Sequence, residues 1–271
     1  MERRDFLAYS LTSSALAAGA ALPTEGAQAA PKGDLFIQIR RYSFEPVGNM
    51  KVMDDFLRDA LIPASNRLGI APVGVFNSWF GPDSLSGKWV LLVGPSVETL
   101  ATLDLRLADD AEFMKAGAPF LAAPIKDPAF SHLETSLLKT MPRLPGVSVP
   151  AELAKSPKRI FELRTYVQPT DASHQLKVAL FQDGGEAESL KRAGFHAVFH
   201  AVNLVGSGMP GSSLPSLTYM WVYESLAARQ EAEDVWMASP DMHTVMSNPK
   251  YAATSNVISN VIMKPTSYSQ L

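Results

Sequence analysis

The chain has 271 residues, of which 46% are hydrophobic and 19% are charged, and its formal net charge is −3. A chain of this length can form one or two domains, each with a buried core. Because the chain is weakly acidic, it lacks the basic surface that nucleic-acid binding requires. The sequence contains no cysteine, which excludes disulfides, thiol nucleophiles and cysteine-bound metal sites.

The first 29 residues have the pattern of a secretory signal peptide. Arg3 and Arg4 precede a short apolar run at 11–22, and the Ala-Gln-Ala segment at 27–29 suits signal peptidase. The paired arginines are typical of the twin-arginine route, and the run is shorter than the roughly 20 residues that span a bilayer. We therefore expect residues 1–29 to be removed and the protein to be periplasmic or otherwise exported.

The period of hydrophobicity then changes several times along the chain. Residues 36–42 alternate as a strand does, and residues 52–68 carry apolar side chains on one helical face. Gly69 suits the end of this helix, and Pro63 predicts a kink within it. The next predicted elements are strands at 73–79 and 88–93 joined by a turn at 81–83, helical segments at 97–107 and 111–118, and a strand at 136–140.

The same series recurs about 124 residues later. Arg164 and Tyr166 match Arg40 and Tyr42, and further weak matches follow in the same order. Such ordered matches at nearly one spacing indicate an internal duplication. The predicted elements of the second copy are strands at 160–167, 195–205, 217–224 and 257–264, and helical segments around 173–193, 225–238 and 240–253. Two glycines at 184–185 interrupt the first of these helices.

Each copy has the order β-α-β-β-α-β, which is the ferredoxin-like arrangement. The sequence predicts a first repeat at 34–141, a proline-rich linker at 142–157 and a second repeat at 158–268. A four-stranded sheet with helices on one side leaves its other face bare, so the two sheets are expected to cover each other. The predicted fold class is α+β, with two tandem repeats.

Several segments resemble the NIPSNAP family. They are DFL at 55–57, LIPA at 61–64 and LGIAPVGVF at 68–76 in the first repeat, and FELRTY at 161–166 and YESLAAR at 223–229 in the second. The resemblance covers residues 34–268 and implies a dimeric α/β barrel, closed here within one chain. Related barrels include cofactor-independent monooxygenases and haem-handling enzymes, but the resemblance implies no catalytic residues.

Strand alternation sorts the candidate ligand-binding residues. Phe161 and Leu163 are expected to face the helices, which places Glu162, Arg164 and Tyr166 between the two sheets. A row of aromatic side chains shares one face of a later strand: Tyr219, Trp221 and Tyr223. We expect these groups to line a cavity for an apolar ligand with a polar end. The alternative is a structural Glu162–Arg164 ion pair in a barrel filled with aromatic side chains.

His196 and His200 complete the candidate set. On a regular strand they share one face but lie about 13 Å apart, too far to share a metal ion. Either could act as a general base or a haem ligand, or have only a structural or surface role. The remaining histidines, His132, His174 and His243, have no acidic partner at metal-ligand spacing. No metal or cofactor is predicted, and haem is the one alternative.

The sequence has no nucleophile elbow, phosphate-binding loop, dinucleotide fingerprint or zinc-protease motif. The glycine-rich segment at 206–211 joins two strands and is interpreted as a hairpin loop. The preferred hypothesis is an exported protein that binds a small apolar ligand or a partner protein. The alternatives are a barrel-type monooxygenase or haem-handling enzyme, and a structural protein that assembles into homo-oligomers.

Overall fold

The structure is a computed structural model that describes residues 34–44, 48–80, 87–144, 146–206, 214–254 and 257–271. The predicted signal peptide, the turn at 81–83 and residues 207–211 of the glycine-rich loop lie outside these ranges, and export stays a prediction. Within the ranges, every helix is too short or too polar to cross a bilayer.

The first repeat follows the predicted order. Its strands are β1 (Phe36–Ser43), β2 (Val73–Phe80), β3 (Gly87–Gly94) and β4 (His132–Thr140). Helix α1 (Met50–Phe56), a π-helical turn (Leu57–Leu61) and α2 (Ile62–Arg67) connect β1 to β2. The connection from β3 to β4 contains α3 (Val97–Ala101), α4 (Leu103–Ala108), α5 (Ala111–Ala116) and α6 (Ala118–Leu121).

The irregularity predicted at Pro63 is a change of helical register. Pro63 is the second residue of α2 and has no N–H with which to continue the α-helical ladder, and the π turn lies immediately before it. Asn49 caps the start of α1 by accepting the Val52 N–H, and Gly69 ends α2 with a φ of +75°.

The second repeat contains strands β5 (Ile160–Val167), β6 (His196–Val205), β7 (Ser216–Tyr223) and β8 (Val257–Pro265). A short helix, α7 (Ala151–Ala154), lies in the predicted linker. The helices of the repeat are α8 (Asp171–Gln182), α9 (Glu186–Arg192), α10 (Leu226–Met237) and α11 (Pro240–Met246), and a 3-10 turn (Pro249–Tyr251) follows.

The helix predicted around 173–193 is two helices. Thr170 and Ser173 form a capping box at the start of α8, and α9 begins after Gly185, whose φ is +86°. Because a left-handed backbone favours glycine, the Gly184-Gly185 pair breaks the helix at the position where the sequence pattern weakens.

The eight strands close into one antiparallel barrel with the order β1-β3-β2-β8-β5-β7-β6-β4. Each repeat contributes a ferredoxin-like sheet, β4-β1-β3-β2 or β8-β5-β7-β6. Two seams join the sheets, one between β2 and β8 and the other between β4 and β6. The fold is therefore two tandem ferredoxin-like repeats that form a dimeric α/β barrel within one chain, as the sequence predicts.

The space between the two sheets is filled by apolar side chains from both repeats. Its core includes Ile37, Ile39 and Leu91 of the first repeat and Phe161, Leu163 and Met220 of the second. The predicted orientation of β5 is therefore wrong, because Phe161 and Leu163 point into the barrel. The polar candidates on the same strand face the helices, since close packing of the barrel interior leaves charged groups no water or partner there. A packed apolar core therefore occupies the place where the sequence predicted a ligand cavity.

Candidate functional site

The candidate residues meet on the outer face of the second sheet, beneath its helices. Here Tyr166 of β5, His200 of β6 and Tyr219 and Trp221 of β7 lie close to Phe181 of α8. We call these five side chains and the adjoining Lys177–Glu186 pair the buried cluster. Alternation along β7 directs its aromatic row to this face, as predicted, while Met220 and Val222 face the barrel interior.

His200 lies among three aromatic rings. Its ring centroid is 5.0 Å from that of Trp221, 5.7 Å from that of Phe181 and 5.8 Å from that of Tyr219. The Trp221 ring is edge-on, with an interplanar angle of 81°. Only 2% of His200 and 1% of Trp221 are exposed. The histidine is thus enclosed in an aromatic environment that excludes bulk water.

Among the residues that the structure describes, the polar atoms of these two side chains have no hydrogen-bond partner. Neither ring nitrogen of His200 is paired, and nor is the Trp221 Nε1. Burial lowers the pKa of His200 from 6.5 to about 4, so the imidazole is uncharged at neutral pH. An uncharged imidazole supplies one donor and one acceptor, and the indole supplies a second donor. The buried cluster therefore has three unused hydrogen-bonding positions.

Lys177 of α8 and Glu186 of α9 add a buried ion pair to the cluster. The Lys177 Nζ lies 3.1 Å from the Glu186 Oε2 and 4.4 Å from the centroid of the Tyr166 ring. Burial raises the pKa of Glu186, and burial likewise raises the pKa values of Tyr166 and Tyr219. The two phenols stay protonated at neutral pH and can donate hydrogen bonds.

The first repeat shows that the fold does not require this polarity. His200 pairs with Tyr219 across β6 and β7, and the equivalent register pair across β2 and β3 is Val75 with Val90. Trp221 lies opposite Glu162, and Leu92 lies opposite Gln38. The first repeat therefore packs valine and leucine at the positions that hold histidine, tyrosine and tryptophan in the second.

The helices show the same contrast. Counted from the N-cap residues Thr170 and Asn49, Lys177 is equivalent to Phe56. Counted back from the left-handed glycines Gly194 and Gly69, Glu186 is equivalent to Leu61. Both first-repeat residues are buried and apolar. The polar groups of the buried cluster other than Tyr166, which matches Tyr42, are thus found in the second repeat alone among the described residues.

Next to the cluster, four charged side chains form a closed network that joins β5 to α10. The Glu162 carboxylate is fully buried and accepts hydrogen bonds from Arg164 Nε at 2.8 Å and Arg229 Nη2 at 2.8 Å. Arg164 and Arg229 also pair with Glu233. Burial alone would raise the pKa of Glu162, but the hydrogen bonds from the two arginines outweigh burial and lower it. This network contains two positive and two negative groups.

A simpler form of the network exists in the first repeat. Arg40 donates to Gln38 at 2.7 Å and pairs with Asp104 at 2.8 Å. Asp104 follows its N-cap residue, Ser96, by eight positions, as Glu233 follows Ser225. An arginine that links the first strand of the repeat to its second helical segment is therefore common to both copies, which supports the structural interpretation of the Glu162–Arg164 pair.

The structure corrects the predicted relation between His196 and His200. A β-bulge shifts the register between Ala197 and Phe199, so that Val198 and Phe199 both point into the barrel. His196 lies between two residues that pack toward the helices, Phe195 and Ala197, and is exposed at the start of β6. His200 lies on the helix-facing side. The two histidines are on opposite faces, and only His200 belongs to the cluster.

Sequence reasoning missed Lys177, Phe181 and Glu186. The signal that could have identified them is the comparison of helix positions, because charged residues replace Phe56 and Leu61 in an otherwise apolar register. Tyr223 packs with the cluster's aromatic layer, and its hydroxyl lies 3.4 Å from Glu162. Burial raises the pKa of this hydroxyl.

His200 is the candidate residue best suited to ligate a haem iron, but its surroundings do not fit a macrocycle. The rings of Phe181, Tyr219 and Trp221 enclose the imidazole at 5.0 to 5.8 Å and would have to move apart. Across the described ranges, no three His, Asp or Glu side chains are placed to hold a metal ion.

Comparison with known proteins finds a family match in the second half of the chain. Residues 161–270 match the NIPSNAP family. A NIPSNAP family protein of unknown function from Agrobacterium tumefaciens is 24% identical and covers 42% of this chain and 94% of its own, with a TM-score of 0.36. The chain has no match among proteins of curated function.

The whole barrel has structural neighbours as well. A candidate monooxygenase from Fusobacterium nucleatum covers 86% of this chain and 93% of its own, with a TM-score of 0.51 and 4% identity. A second candidate monooxygenase, from Lactobacillus acidophilus, covers 85% and 93% with a TM-score of 0.49 and 9% identity. At such identities the likeness describes the fold alone.

Proposed function

We propose that the protein uses its second repeat, in which residues 161–270 match the NIPSNAP family, to bind a small, largely apolar molecule beneath helices α8 and α9. The polar end of the molecule contacts His200 and Trp221, and its body packs among the rings of Tyr166, Phe181 and Tyr219. The site lies between the sheet and its helices, outside the barrel.

The observation that carries this proposal is the set of unpartnered nitrogens on His200 and Trp221. A buried polar group without a hydrogen bond costs roughly 1–3 kcal/mol of stability. The first repeat avoids that cost by placing Val75 and Leu92 at the equivalent positions. Polar groups that stability does not require, grouped among aromatic rings, are typical of a ligand site.

The chemistry of the three free positions describes the polar end of the ligand. A hydroxyl group can accept from the Trp221 Nε1 and donate to an unprotonated nitrogen of His200, whereas a carbonyl can accept from both rings. A charged group fits poorly, because His200 is uncharged and Lys177 is already paired with Glu186. The ligand that fits is neutral, ring-sized and polar at one end.

Access to the site requires movement of the helices, because the cluster is buried. The break at Gly184-Gly185 lies between the two helices that carry Lys177, Phe181 and Glu186. Rotation at this break opens the layer while the sheet stays in place. Hinges of this kind involve only a few residues at the ends of elements.

The test is native mass spectrometry of protein purified from its own host, combined with a visible absorption spectrum. We expect a bound small molecule in wild-type protein and its loss in the His200→Val/Trp221→Phe variant, which removes all three unpaired nitrogens. Val75→Ala is the matched control, because it alters the equivalent layer of the first repeat and should retain the molecule. Absence of a bound molecule in wild type, or its retention in the double variant, would contradict the proposal.

A second candidate function is oxygenation of the bound molecule, and the uncharged, water-excluded imidazole of His200 favours it. The imidazole is unprotonated and can orient a bound hydroxyl group by accepting its hydrogen bond, and the exclusion of water limits side reactions. Dioxygen can convert a CH₂ group to a carbonyl with release of water, so this reaction balances without a reductant. Protein purified without oxygen should then release a molecule that gains one oxygen and loses two hydrogens on exposure to air. An unchanged mass would leave binding as the function.

A further inference from the structure

A groove of about 360 Å³ lies at the seam between β2 and β8, away from the buried cluster. It is lined by residues of both repeats, including Trp79 from the end of β2, Lys158 and Arg159 before β5, Leu226 at the start of α10, and Lys264 of β8. The groove thus combines three basic side chains with exposed apolar surface.

The basic side chains of the groove are not neutralised by acidic side chains within the described residues. The Lys264 Nζ lies 3.7 Å from the centroid of the Trp79 ring, which holds the ammonium group over the indole. Arg159 donates to the main-chain oxygens of Ser156 and Leu271, and its Nε has no partner. The groove therefore offers positive charge that is fixed in position by the protein.

The start of α10 adds to this positive charge. Leu226 begins a helix of 12 residues whose first turn contains no acidic side chain. Backbone N–H groups at a helix N-terminus carry partial positive charge and favour anions. The equivalent helix of the first repeat, α3, has Glu98 in its first turn.

The β4–β6 seam occupies the equivalent position in the duplicated fold and, within the described residues, lacks the basic cluster and the indole of the groove. At the β4–β6 seam, Lys139 is equivalent to Lys264, but it pairs with Asp34 at 2.7 Å. Asp34 and Leu35 occupy the positions of Lys158 and Arg159, and Leu204 occupies that of Trp79. Among the described residues, the duplication therefore contains one seam with a paired lysine and one with two lysines that have no acidic side-chain partner, an arginine bound to main-chain oxygens and an indole.

We propose that the groove at the β2–β8 seam binds a small organic oxyanion, a carboxylate or a phosphate joined to an apolar body. The oxyanion contacts Lys264 and Arg159, while the apolar body packs against Trp79 and Leu226. A charged oxyanion hydrogen-bonds to such cations more strongly than a neutral group does. This site is independent of the neutral ligand proposed for the buried cluster.

Isothermal titration calorimetry with benzoate and phenyl phosphate tests the proposal, and benzyl alcohol is the uncharged control. We expect both anions to bind and benzyl alcohol not to bind. Lys264→Gln should weaken binding about tenfold, the scale of one lost charge-assisted hydrogen bond. Lys139→Gln at the other seam is the matched control and should leave binding unchanged, as should the His200→Val/Trp221→Phe variant.

The relative affinities of benzoate and phenyl phosphate distinguish a carboxylate ligand from a phosphate ligand. Trp79→Leu should weaken both anions, because it removes the surface for the apolar body and the ring that positions Lys264. The proposal is overturned if benzyl alcohol binds as tightly as benzoate, if Lys139→Gln weakens binding as much as Lys264→Gln, or if neither anion binds.

Discussion

The Lys177 ammonium and the Glu186 carboxylate lie within hydrogen-bonding distance across the break between α8 and α9, and both side chains are almost completely buried. Removing one partner of such a pair leaves a buried charge. We expect Lys177→Met or Glu186→Gln to lower the free energy of unfolding by about 3–5 kcal/mol. Urea denaturation measures this difference.

The paired change Lys177→Phe/Glu186→Leu should recover most of that loss, because it introduces the residues found at the equivalent positions of the first repeat. Buried ion pairs are often no more stabilising than well-packed apolar side chains. If the double variant is less stable than either single variant, the equivalence with Phe56 and Leu61 is wrong.

The lowered pKa of His200 predicts a specific loss of stability in acid. The pKa is about 4 in the folded chain and 6.5 when unperturbed, so the unfolded state binds more protons between these values. Stability should therefore fall as the pH decreases from 7 to 4, by about 3 kcal/mol from this group alone. Urea denaturation at a series of pH values measures the effect.

The comparison with His200→Val isolates this contribution. The lowered pKa of Glu162 and the raised pKa of Glu186 also make stability depend on pH, but both groups are present in the two proteins. As the pH falls below 6.5, the wild-type protein should lose unfolding free energy relative to the His200→Val variant. A difference that is constant with pH would mean that the pKa of His200 is the same in the folded and unfolded protein, and would contradict the lowered value.

Arg164 and Arg40, which each link the first strand of a repeat to a helix, should contribute different amounts to the free energy of unfolding. Arg164→Met leaves the buried Glu162 with one arginine fewer, and a loss of about 3–5 kcal/mol is expected. Arg40→Met should cost less, because its partner Asp104 is 74% exposed and its neighbour Gln38 is uncharged. Thermal and urea unfolding of both variants test this order, and equal losses would contradict the assigned role of Glu162.

Substitutions of the two glycines at the helix break should destabilise the protein for different physical reasons. Gly185→Ala places a Cβ at a φ of +86° without a close contact and should cost about 1–2 kcal/mol. Gly184→Ala places a Cβ 2.8 Å from the Leu180 carbonyl oxygen and should cost more. Gly69→Ala, at a φ of +75° with open space around it, is the control for the backbone effect and should match Gly185→Ala.

The duplication, the order of elements and the closed architecture could be predicted from the sequence, because they depend on hydrophobic period and on repetition. The faces of β5 could not. All eight residues of this strand are buried, so alternation separates Glu162 from Phe161 without indicating which of them faces the helices. In a closed barrel both faces of a strand are covered, and polarity is tolerated only where helix side chains bring partners.

The candidate site could be predicted in part for a related reason. Glu162, Arg164, Tyr166, His200 and the aromatic row of β7 do lie on one face, because strand alternation is reliable over short distances. His196 fails because a bulge, which has no clear sequence signal here, reverses the alternation before His200. Lys177 and Glu186 lie on either side of the double glycine that obscured the helical pattern.

Because both halves of the barrel belong to one chain, the fold also determines how many ligand molecules each barrel can bind. A barrel assembled from two identical subunits has a twofold axis, so any pocket on one subunit exists twice and every substitution is made in duplicate. Here the two repeats have separate sequences, so a buried polar side chain in one repeat does not have to be present, or to lower stability, in the other. The first repeat can therefore leave the neutral ligand to the second and share only the groove at the β2–β8 seam, so saturation is expected at one neutral ligand and one oxyanion per chain.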